Sequence, residues 1–229
     1  MKIRAYTAMS VDGFSADAAG WPAPLSMPNF VPGESYGHRE FFEQCSAVVM
    51  GRRTYEPALG HPSWPWPGKR LYVLTSSRLA SPEGVEVVCC DGGPRQVVEL
   101  LESSGLEGDA QLLGGPTTIR SFHAVDAIDS LEITVLPVLL GCGLPLFPLN
   151  AETRGQLKFE EQQAYEDGTV RLTYTIQRTA ERTSGKRIER RNERVGCAVG
   201  TPPQREPIAR PLPTTAAPTD RRAATRTAT

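Results

Sequence analysis

Short apolar segments alternate with segments of helical spacing over most of this chain, and that alternation limits the folds open to it. Apolar runs such as Ala47–Gly51 and Ala110–Gly115 are each followed by a stretch of helical character, for example Pro116–Val125. Pro94–Gly105 has the ends typical of a helix, with a proline near its start and a glycine at its close. Strands that alternate with helices predict an α/β layer fold with a mostly parallel sheet and crossover helices.

Two further segments complete the predicted fold. Gln156–Arg178 reads as two strands joined around the turn dipeptide Asp167-Gly168, which predicts an antiparallel hairpin. Glu34–Cys45 is predicted to be a helix. The sequence therefore predicts an α/β fold with a mostly parallel sheet, flanking helices and an antiparallel C-terminal hairpin.

The composition of the chain changes near residue 180. Residues 180–229 carry 11 basic and 5 acidic side chains, contain no aromatic residue and are rich in Arg, Pro, Thr and Ala. Such a segment cannot bury enough apolar surface to offset the entropy that it would lose on ordering. We expect a folded domain over residues 1–179 and a disordered basic tail over residues 180–229. The tail is either a solvated appendage without a role or a segment that touches anionic surfaces.

Charge and residue spacing argue against several classes of function. A net charge of −1 and a pI of about 6.3 give no electrostatic case for nucleic acid or an acidic membrane as the main partner. The N-terminus enters strand-like sequence with no signal peptide, and no apolar run is long enough to cross a bilayer. The five cysteines and three histidines lack the spacing of a metal site. We expect a cytoplasmic protein with reduced thiols and no metal.

Glycines, hydroxyl groups and arginines follow three of the predicted strands. In open α/β sheets, ligands bind beyond the carboxyl ends of the strands, where the next helices begin and phosphate is favoured. Glycine lets the backbone approach a phosphate closely, while hydroxyl and guanidinium groups pair with its oxygens. The three junctions are Gly51-Arg52-Arg53-Thr54, Thr75-Ser76-Ser77-Arg78 and Gly114-Gly115-Pro116-Thr117-Thr118.

Together these junctions suit a ligand with phosphate at more than one place, such as a dinucleotide with an additional 2′-phosphate. Each junction alone is equally compatible with a helix cap and solvated arginines. The sequence contains no G-x-G-x-x-G, no G-x-x-x-x-G-K-[ST] and no G-x-S-x-G. The usual dinucleotide-binding, P-loop and hydrolase motifs are therefore absent.

Five segments, in this order, resemble the dihydrofolate reductase superfamily, most of all the reductase domain of riboflavin biosynthesis: TAMSVDGFSA, VVMGRRTYE, LYVLTSSR, QLLGGPTTI and VLPVLLGCGLPLF. The resemblance covers residues 1–178. It implies this fold, NADPH as the cofactor, hydride transfer to a small heterocyclic substrate and a homodimer. The leading substrate by resemblance is 5-amino-6-(5-phosphoribosylamino)uracil.

The resemblance also implies which residues bind the cofactor. Thr7 and Ala8 would lie beside the nicotinamide. The segment Thr75, Ser76, Ser77 and Arg78 would surround the adenosine 2′-phosphate and favour NADPH over NADH. An unusual peptide bond between two glycines would lie at the pyrophosphate. The remaining cofactor-binding residues would be Gly51, Arg52, Arg53, Thr54, Gly114, Gly115, Pro116, Thr117, Thr118 and Ile119.

The acceptor of a hydride usually needs a proton as well, and the sequence leaves its source open. Folate reductases carry an acid on the helix after the first loop. Alignment from the glycine of the first junction places Ser35 there, and alignment of the phenylalanines places Gly37 or His38 there. The candidate proton donors are Glu34 and His38, and Asp12 is a further catalytic candidate with a role at the nicotinamide or the substrate. The three could equally be a helix cap, an exposed helix residue and a turn former, respectively.

Two other functions stay open at this point. A folate or pterin reductase would share the cofactor site, although the missing acid argues against it. A non-catalytic module that binds NADPH would keep the three junctions and need no acceptor site. Trp64 and Trp66 lie in a proline-rich loop and could stack on a flat heterocycle, but cover for the core or a subunit contact is the favoured interpretation.

Overall fold

The computed structural model describes residues 1–20, 22–27, 36–147 and 155–177, without the side chains of Leu25 and Ser26. The predicted tail over residues 180–229 lies outside the described residues, as do Glu34 and Ser35. Within the described ranges, no helix has the length and apolar character that a membrane span requires.

Ten strands, four α-helices and one 3₁₀ turn make up the described structure. The strands are β1 Ile3–Ser10, β2 Phe14–Ala16, β3 Cys45–Gly51, β4 Arg70–Leu74, β5 Val87–Cys90, β6 Asp109–Gly114, β7 Ser130–Leu136, β8 Leu144–Pro145, β9 Gln156–Ala164 and β10 Val170–Gln177. The helices are α1 His38–Glu43, α2 Arg52–Ala58, α3 Gly93–Glu102 and α4 Pro116–His123, and the 3₁₀ turn is Ala23–Ser26.

Eight of these strands form one sheet in the order β5-β4-β3-β6-β1-β7-β10-β9. The six strands from β5 to β7 are parallel, whereas β10 pairs antiparallel with both β7 and β9. The turn between β9 and β10 contains Asp167-Gly168. The predicted fold class, a mostly parallel sheet with flanking helices and an antiparallel C-terminal hairpin, is confirmed.

The central strands are apolar because both faces of the sheet are covered. In β3, the run Ala47–Met50 is wholly buried. One face carries the larger core, in which α3 and α4 pack through side chains such as Val97 and Phe122. A second, smaller hydrophobic core contains Tyr55 and the buried Trp66, and Trp64 packs against it. The two tryptophans therefore serve as cover for the core.

Helix α1 is shorter than the sequence predicted. A helix was predicted over Glu34–Cys45, but α1 spans only His38–Glu43. Tyr36 and Gly37 precede it with φ angles of 49° and 82°, in the left-handed region that a right-handed helix cannot include. At the other end, Cys45 is already the first residue of β3.

A small two-stranded sheet, β2 with β8, lies beside the carboxyl end of β1. Gly143 in its loop has a φ of 145°, and a Cβ there would overlap the carbonyl oxygen of Ala16. We expect Gly143→Ala to lower the free energy of unfolding by about 3 kcal/mol, since overpacking against rigid backbone adds to the cost of a positive φ. Urea denaturation of the full chain measures this loss.

Gly141→Ala is the matched control for that experiment. Gly141 also has a positive φ, 70°, but nothing lies within 4 Å of the Cβ that alanine would add. Its loss should therefore be only the backbone cost, about 1 kcal/mol. Equal losses for the two variants would show that close contact at Gly143 does not hold the loop.

Candidate active site

The three junctions predicted from the sequence lie side by side in the structure. They follow β3, β4 and β6, and β3 pairs with β4 on one side and with β6 on the other. All three strands are parallel, so their carboxyl ends meet at the same edge of the sheet. Gly51 pairs with Leu74, the last residue of β4, and Met50 pairs with Gly114, the last residue of β6.

Direct contacts join the first and third junctions. The backbone N–H of Gly115 donates to Oγ1 of Thr54, with an N···O distance of 2.9 Å. A Cβ at Gly51 would come within 2.7 Å of Oγ1 of Thr118. This closeness explains why a glycine stands at the end of β3. The peptide bond between Gly114 and Gly115 is cis, which agrees with the unusual bond that the resemblance implies.

A second set of contacts joins the first junction to the one after β4. Arg52 donates from Nη1 to Oγ of Ser77 over 3.3 Å, and its Nε pairs with Glu56 over 2.7 Å. The hydroxyl of Thr75 accepts from the backbone N–H of Ser77 over 3.1 Å, which shapes the turn. The three junctions therefore form one continuous edge.

Two arginines of this edge have no partner among the residues that the structure describes. Arg53 and Arg78 are exposed, and neither makes a hydrogen bond or ion pair within those residues. Arg52, by contrast, is partly neutralised by Glu56. Two uncompensated guanidinium groups beside the Gly51 and Ser77 turns give this edge the charge and the planar donors that bind phosphate.

The carboxyl end of β1 lies two strands away from the end of β3. Thr7 and Ala8 are half-buried there, and β1 runs between β6 and β7. Thr7 pairs with Ile133 and Ala8 with Thr134 of β7. These residues therefore lie at the same edge of the sheet as the three junctions, where the resemblance implies the nicotinamide.

The carboxylate of Asp12 holds the loop after β7. It accepts backbone hydrogen bonds from Leu140 over 3.1 Å and from Gly141 over 2.7 Å. A hydrogen bond from Ser10 and these backbone N–H groups lower the pKa of Asp12. A carboxylate kept ionised in this way is poorly suited to donate a proton, so its contacts favour an anchoring role.

His38 opens α1 on the face of the sheet that carries Tyr6. Its ring meets the ring of Tyr6 edge-on, with 4.9 Å between centroids, and lies against Phe42 at 5.8 Å. Nε2 of His38 is 3.0 Å from Nε2 of Gln111 on β6. Burial lowers the pKa of His38, so the imidazole is mostly neutral at neutral pH.

Of the candidate donors, Glu34 lies outside the described residues.

The sequence analysis missed a group of polar residues beside His38. The hydroxyl of Tyr6 donates to the carbonyl of Tyr36 over 2.9 Å, and Thr134 donates to the Tyr6 oxygen over 3.3 Å. Gln111 and Thr134 are buried. The available signal was a polar residue at every second position within otherwise apolar strands. The prediction considered only residues at the ends of the strands, so these side chains within the strands were not included.

No group of three or more His, Cys, Asp or Glu side chains is placed to hold a metal within the described ranges. The site that the structure does bring together is a phosphate-suited edge with a polar face next to it. Its chemistry is that of binding and positioning.

Comparison with known proteins agrees with this geometry. Residues 1–171 match the family described as the RibD C-terminal domain. The uncharacterised protein YwjB of Bacillus subtilis (strain 168) is 32% identical over 162 residues, which cover 69% of this chain and 89% of that protein. Among solved structures, a putative riboflavin biosynthesis protein from Shewanella sp. PV-4 has a TM-score of 0.65 and 29% identity, over 78% of this chain and all of that one.

A second solved structure shows how far the fold extends beyond that family. Dihydrofolate reductase from Enterococcus faecalis, complexed with NADP(H), has a TM-score of 0.51 and 19% identity, over 76% of this chain and 96% of that one. At this identity the similarity concerns the fold alone. The match over residues 1–171, together with the identity to YwjB, shows that the chain belongs to the RibD C-terminal domain family and has a dihydrofolate-reductase-like fold.

Proposed function

We propose that this protein is an NADPH-dependent reductase that transfers hydride to a small heterocyclic substrate. The observation that carries the proposal is the meeting of the three junctions at one edge, with Arg53 and Arg78 uncompensated there among the described residues. The family and the NADP(H) complex of the E. faecalis reductase support it. NADPH, when bound, supplies the hydride.

The residues of the edge fit the parts of such a nucleotide. The turns at Gly51 and Gly115 leave the backbone bare of side chains, as close approach by a pyrophosphate requires. Arg53, the hydroxyl of Thr54 and the start of α4 would bind its oxygens. Ser77 and Arg78 would bind the 2′-phosphate through a hydroxyl and a guanidinium group. Other contacts are proposed for Arg52, Thr75, Ser76, Gly114, Pro116, Thr117, Thr118 and Ile119.

The substrate side is proposed on the polar face next to Thr7 and Ala8. Hydride transfer requires mainly that the acceptor be held close to the nicotinamide in a site that excludes water. Tyr6, His38 and Thr134 offer polar groups above that part of the sheet. The leading acceptor is 5-amino-6-(5-phosphoribosylamino)uracil, which is named for the reductase of Thermotoga maritima that shares this fold.

The test is oxidation of NADPH by the full chain with a panel of acceptors. We expect oxidation with the phosphoribosyl pyrimidine and none with dihydrofolate. Oxidation with dihydrofolate instead would favour the folate-reductase alternative. Tight binding of NADPH without oxidation by any acceptor would favour the non-catalytic module.

We also propose that the protein forms a homodimer through the edge of its sheet. Strand β9 is the last strand of the sheet, and all nine of its residues are exposed, including Leu157 at 46% and Phe159 at 53%. An exposed strand edge with apolar side chains is suited to pairing with a second copy. Sedimentation equilibrium of the full chain tests this, and a monomer at all concentrations would contradict it.

A further inference from the structure

Gln111 and His38 form a partly buried side-chain pair that the binding of a cofactor does not explain. Gln111 lies in β6, between β1 and β3, and is wholly buried. Its amide nitrogen is 3.0 Å from Nε2 of His38. Its amide oxygen is buried and has no hydrogen-bond partner among the described residues. A buried amide oxygen without a partner is unfavourable, so its presence in the sheet calls for a reason.

The two protonation states of His38 supply that reason. In the arrangement seen here the amide donates to Nε2, which makes the imidazole neutral with its proton on Nδ1. A protonated imidazole donates from Nε2 as well and then needs an acceptor. Rotation of the Gln111 amide by half a turn would present the unpartnered oxygen to that proton. The pair can therefore bond in either state without moving the backbone.

The second ring nitrogen of His38, Nδ1, is the one that would contact a ligand. Nδ1 of His38 has no hydrogen-bond partner among the described residues, and the side chain is only partly buried. The ring of His38 contacts the ring of Tyr6, which precedes Thr7 on β1, so His38 lies beside the proposed substrate side. An imidazole held at one nitrogen, with no described partner at the other, is an arrangement suited to proton transfer.

We propose that His38 is the acid that protonates the hydride acceptor and that Gln111 is its positioning residue, whose amide turns its oxygen toward Nε2 when the resting ring is protonated there. This inference rests on the proposed function. A bound reduced nicotinamide would supply the hydride to the electrophilic carbon of a C=N or C=O group and would be oxidised in turn. As the π bond breaks toward the heteroatom, that atom takes the proton from Nδ1 of His38. The other proton stays on Nε2, bonded to the Gln111 oxygen, and solvent returns a proton to Nδ1.

Among the residues that the structure describes, no charged side chain makes a direct contact with the ring of His38. Tyr6 of β1 meets the ring, and burial raises the pKa of Tyr6 to about 12, so it stays neutral. Arg4 and Glu132, on β1 and β7, form an ion pair with each other. The guanidinium group of Arg171 on β10 lies against Gly37, next to His38 in the chain, and bonds to Gln163 of β9. The titration of His38 therefore depends mainly on its burial, which lowers its pKa, and on Gln111, which raises it.

The sign of the pH dependence follows from these influences. Because burial lowers the pKa of His38, the acid form is scarce at neutral pH and grows as the pH falls. Above that pKa, kcat/KM for the acceptor should fall about tenfold for each unit of pH. Removal of the Gln111 hydrogen bond should move the whole profile to lower pH.

Nuclear magnetic resonance of the full chain tests the pair without any cofactor. The chain has three histidines, so His61→Gln and His123→Gln assign the signals by elimination. We expect the pKa of His38 to rise in Gln111→Glu, because a carboxylate would face the imidazolium, and to fall in Gln111→Leu. The Gln111→Leu chain should also lose the preference for the Nδ1–H tautomer. An unchanged pKa and tautomer in folded Gln111→Leu would overturn the positioning role.

Turnover tests the acid role. His38→Gln should lower kcat by about 10²- to 10⁴-fold, the usual contribution of a general acid, with NADPH affinity unchanged. His61→Gln is the control, since His61 is exposed and bonds only to Ser63 of its own loop among the described residues. In Gln111→Leu, the midpoint of the pH profile should shift together with the pKa measured by resonance.

The outcomes separate this inference from the proposed function. Full turnover in His38→Gln, with oxidation of NADPH intact, would overturn the acid role and leave the reductase standing. A shift in the resonance pKa without a shift in the pH profile would overturn it as well. Absence of NADPH binding by the unaltered chain would overturn the proposed function and the acid role together.

Discussion

Arg78→Ala is expected to remove most of the preference of this protein for NADPH over NADH. Arg78 is exposed beside the Thr75–Ser77 turn and has no partner within the described ranges, so its guanidinium group is available to a phosphate. A hydrogen bond to a charged group contributes about 1.5–3 kcal/mol, which corresponds to about 10- to 100-fold in affinity. Fluorescence titration of both nucleotides measures the change, and affinity for NADH should stay the same.

Arg95→Ala is the matched control for charge. Arg95 is also exposed, but it lies on α3 beside a cleft lined by Met1–Ile3, at the amino end of the sheet. Its removal should alter both affinities equally and slightly. If Arg95→Ala changed the preference as much as Arg78→Ala, long-range charge rather than a 2′-phosphate contact would be responsible.

Gly51→Ala is expected to weaken NADPH binding by about tenfold or more and to destabilise the fold by about 1–3 kcal/mol. The added Cβ would lie 2.7 Å from Oγ1 of Thr118, so the Thr118 side chain would have to turn away or β3 and α4 would have to move apart. That separation would also disturb the contact between Thr54 and Gly115, on which the shape of the edge depends. Titration with NADPH and urea denaturation of the full chain measure the two effects.

Two further variants show whether crowding is the cause. Gly60→Ala tests the loss of a glycine just after α2, because the Cβ there would meet only the carbonyl of Pro57 at 3.8 Å. It should leave both affinity and stability nearly unchanged. Adding Thr118→Ala to Gly51→Ala removes the crowded hydroxyl and should restore stability. Failure of that restoration would mean that crowding against Thr118 is not the cause.

The fold could be predicted because the hydrophobic and turn patterns of each segment agree with the position of that segment in the sheet. The apolar run at Ala47–Met50 became a wholly buried strand, and the Asp167-Gly168 dipeptide became the turn of the hairpin. The three junctions were found because glycine, hydroxyl and arginine residues follow strands directly in sequence. Parallel pairing then brought the strand ends together.

The missed features depend on contacts between residues far apart in the chain. The late start of α1 results from the left-handed conformation of Tyr36, a residue type for which sequence gives no such expectation. Gln111 and His38 are 73 positions apart and meet only because α1 lies over β6. Asp12 was a catalytic candidate by sequence, while its bonds to Leu140 and Gly141 favour an anchoring role.

A crystal structure of the full chain with bound NADPH would show whether the three junctions hold the nucleotide. We predict the 2′-phosphate within hydrogen-bond distance of Arg78 and Ser77, and the pyrophosphate between the Thr54 turn and the start of α4 at Gly115. The nicotinamide should lie beside Ala8. A nucleotide bound elsewhere, such as in the cleft at the amino end of the sheet, or no bound nucleotide at saturating concentration, would contradict it.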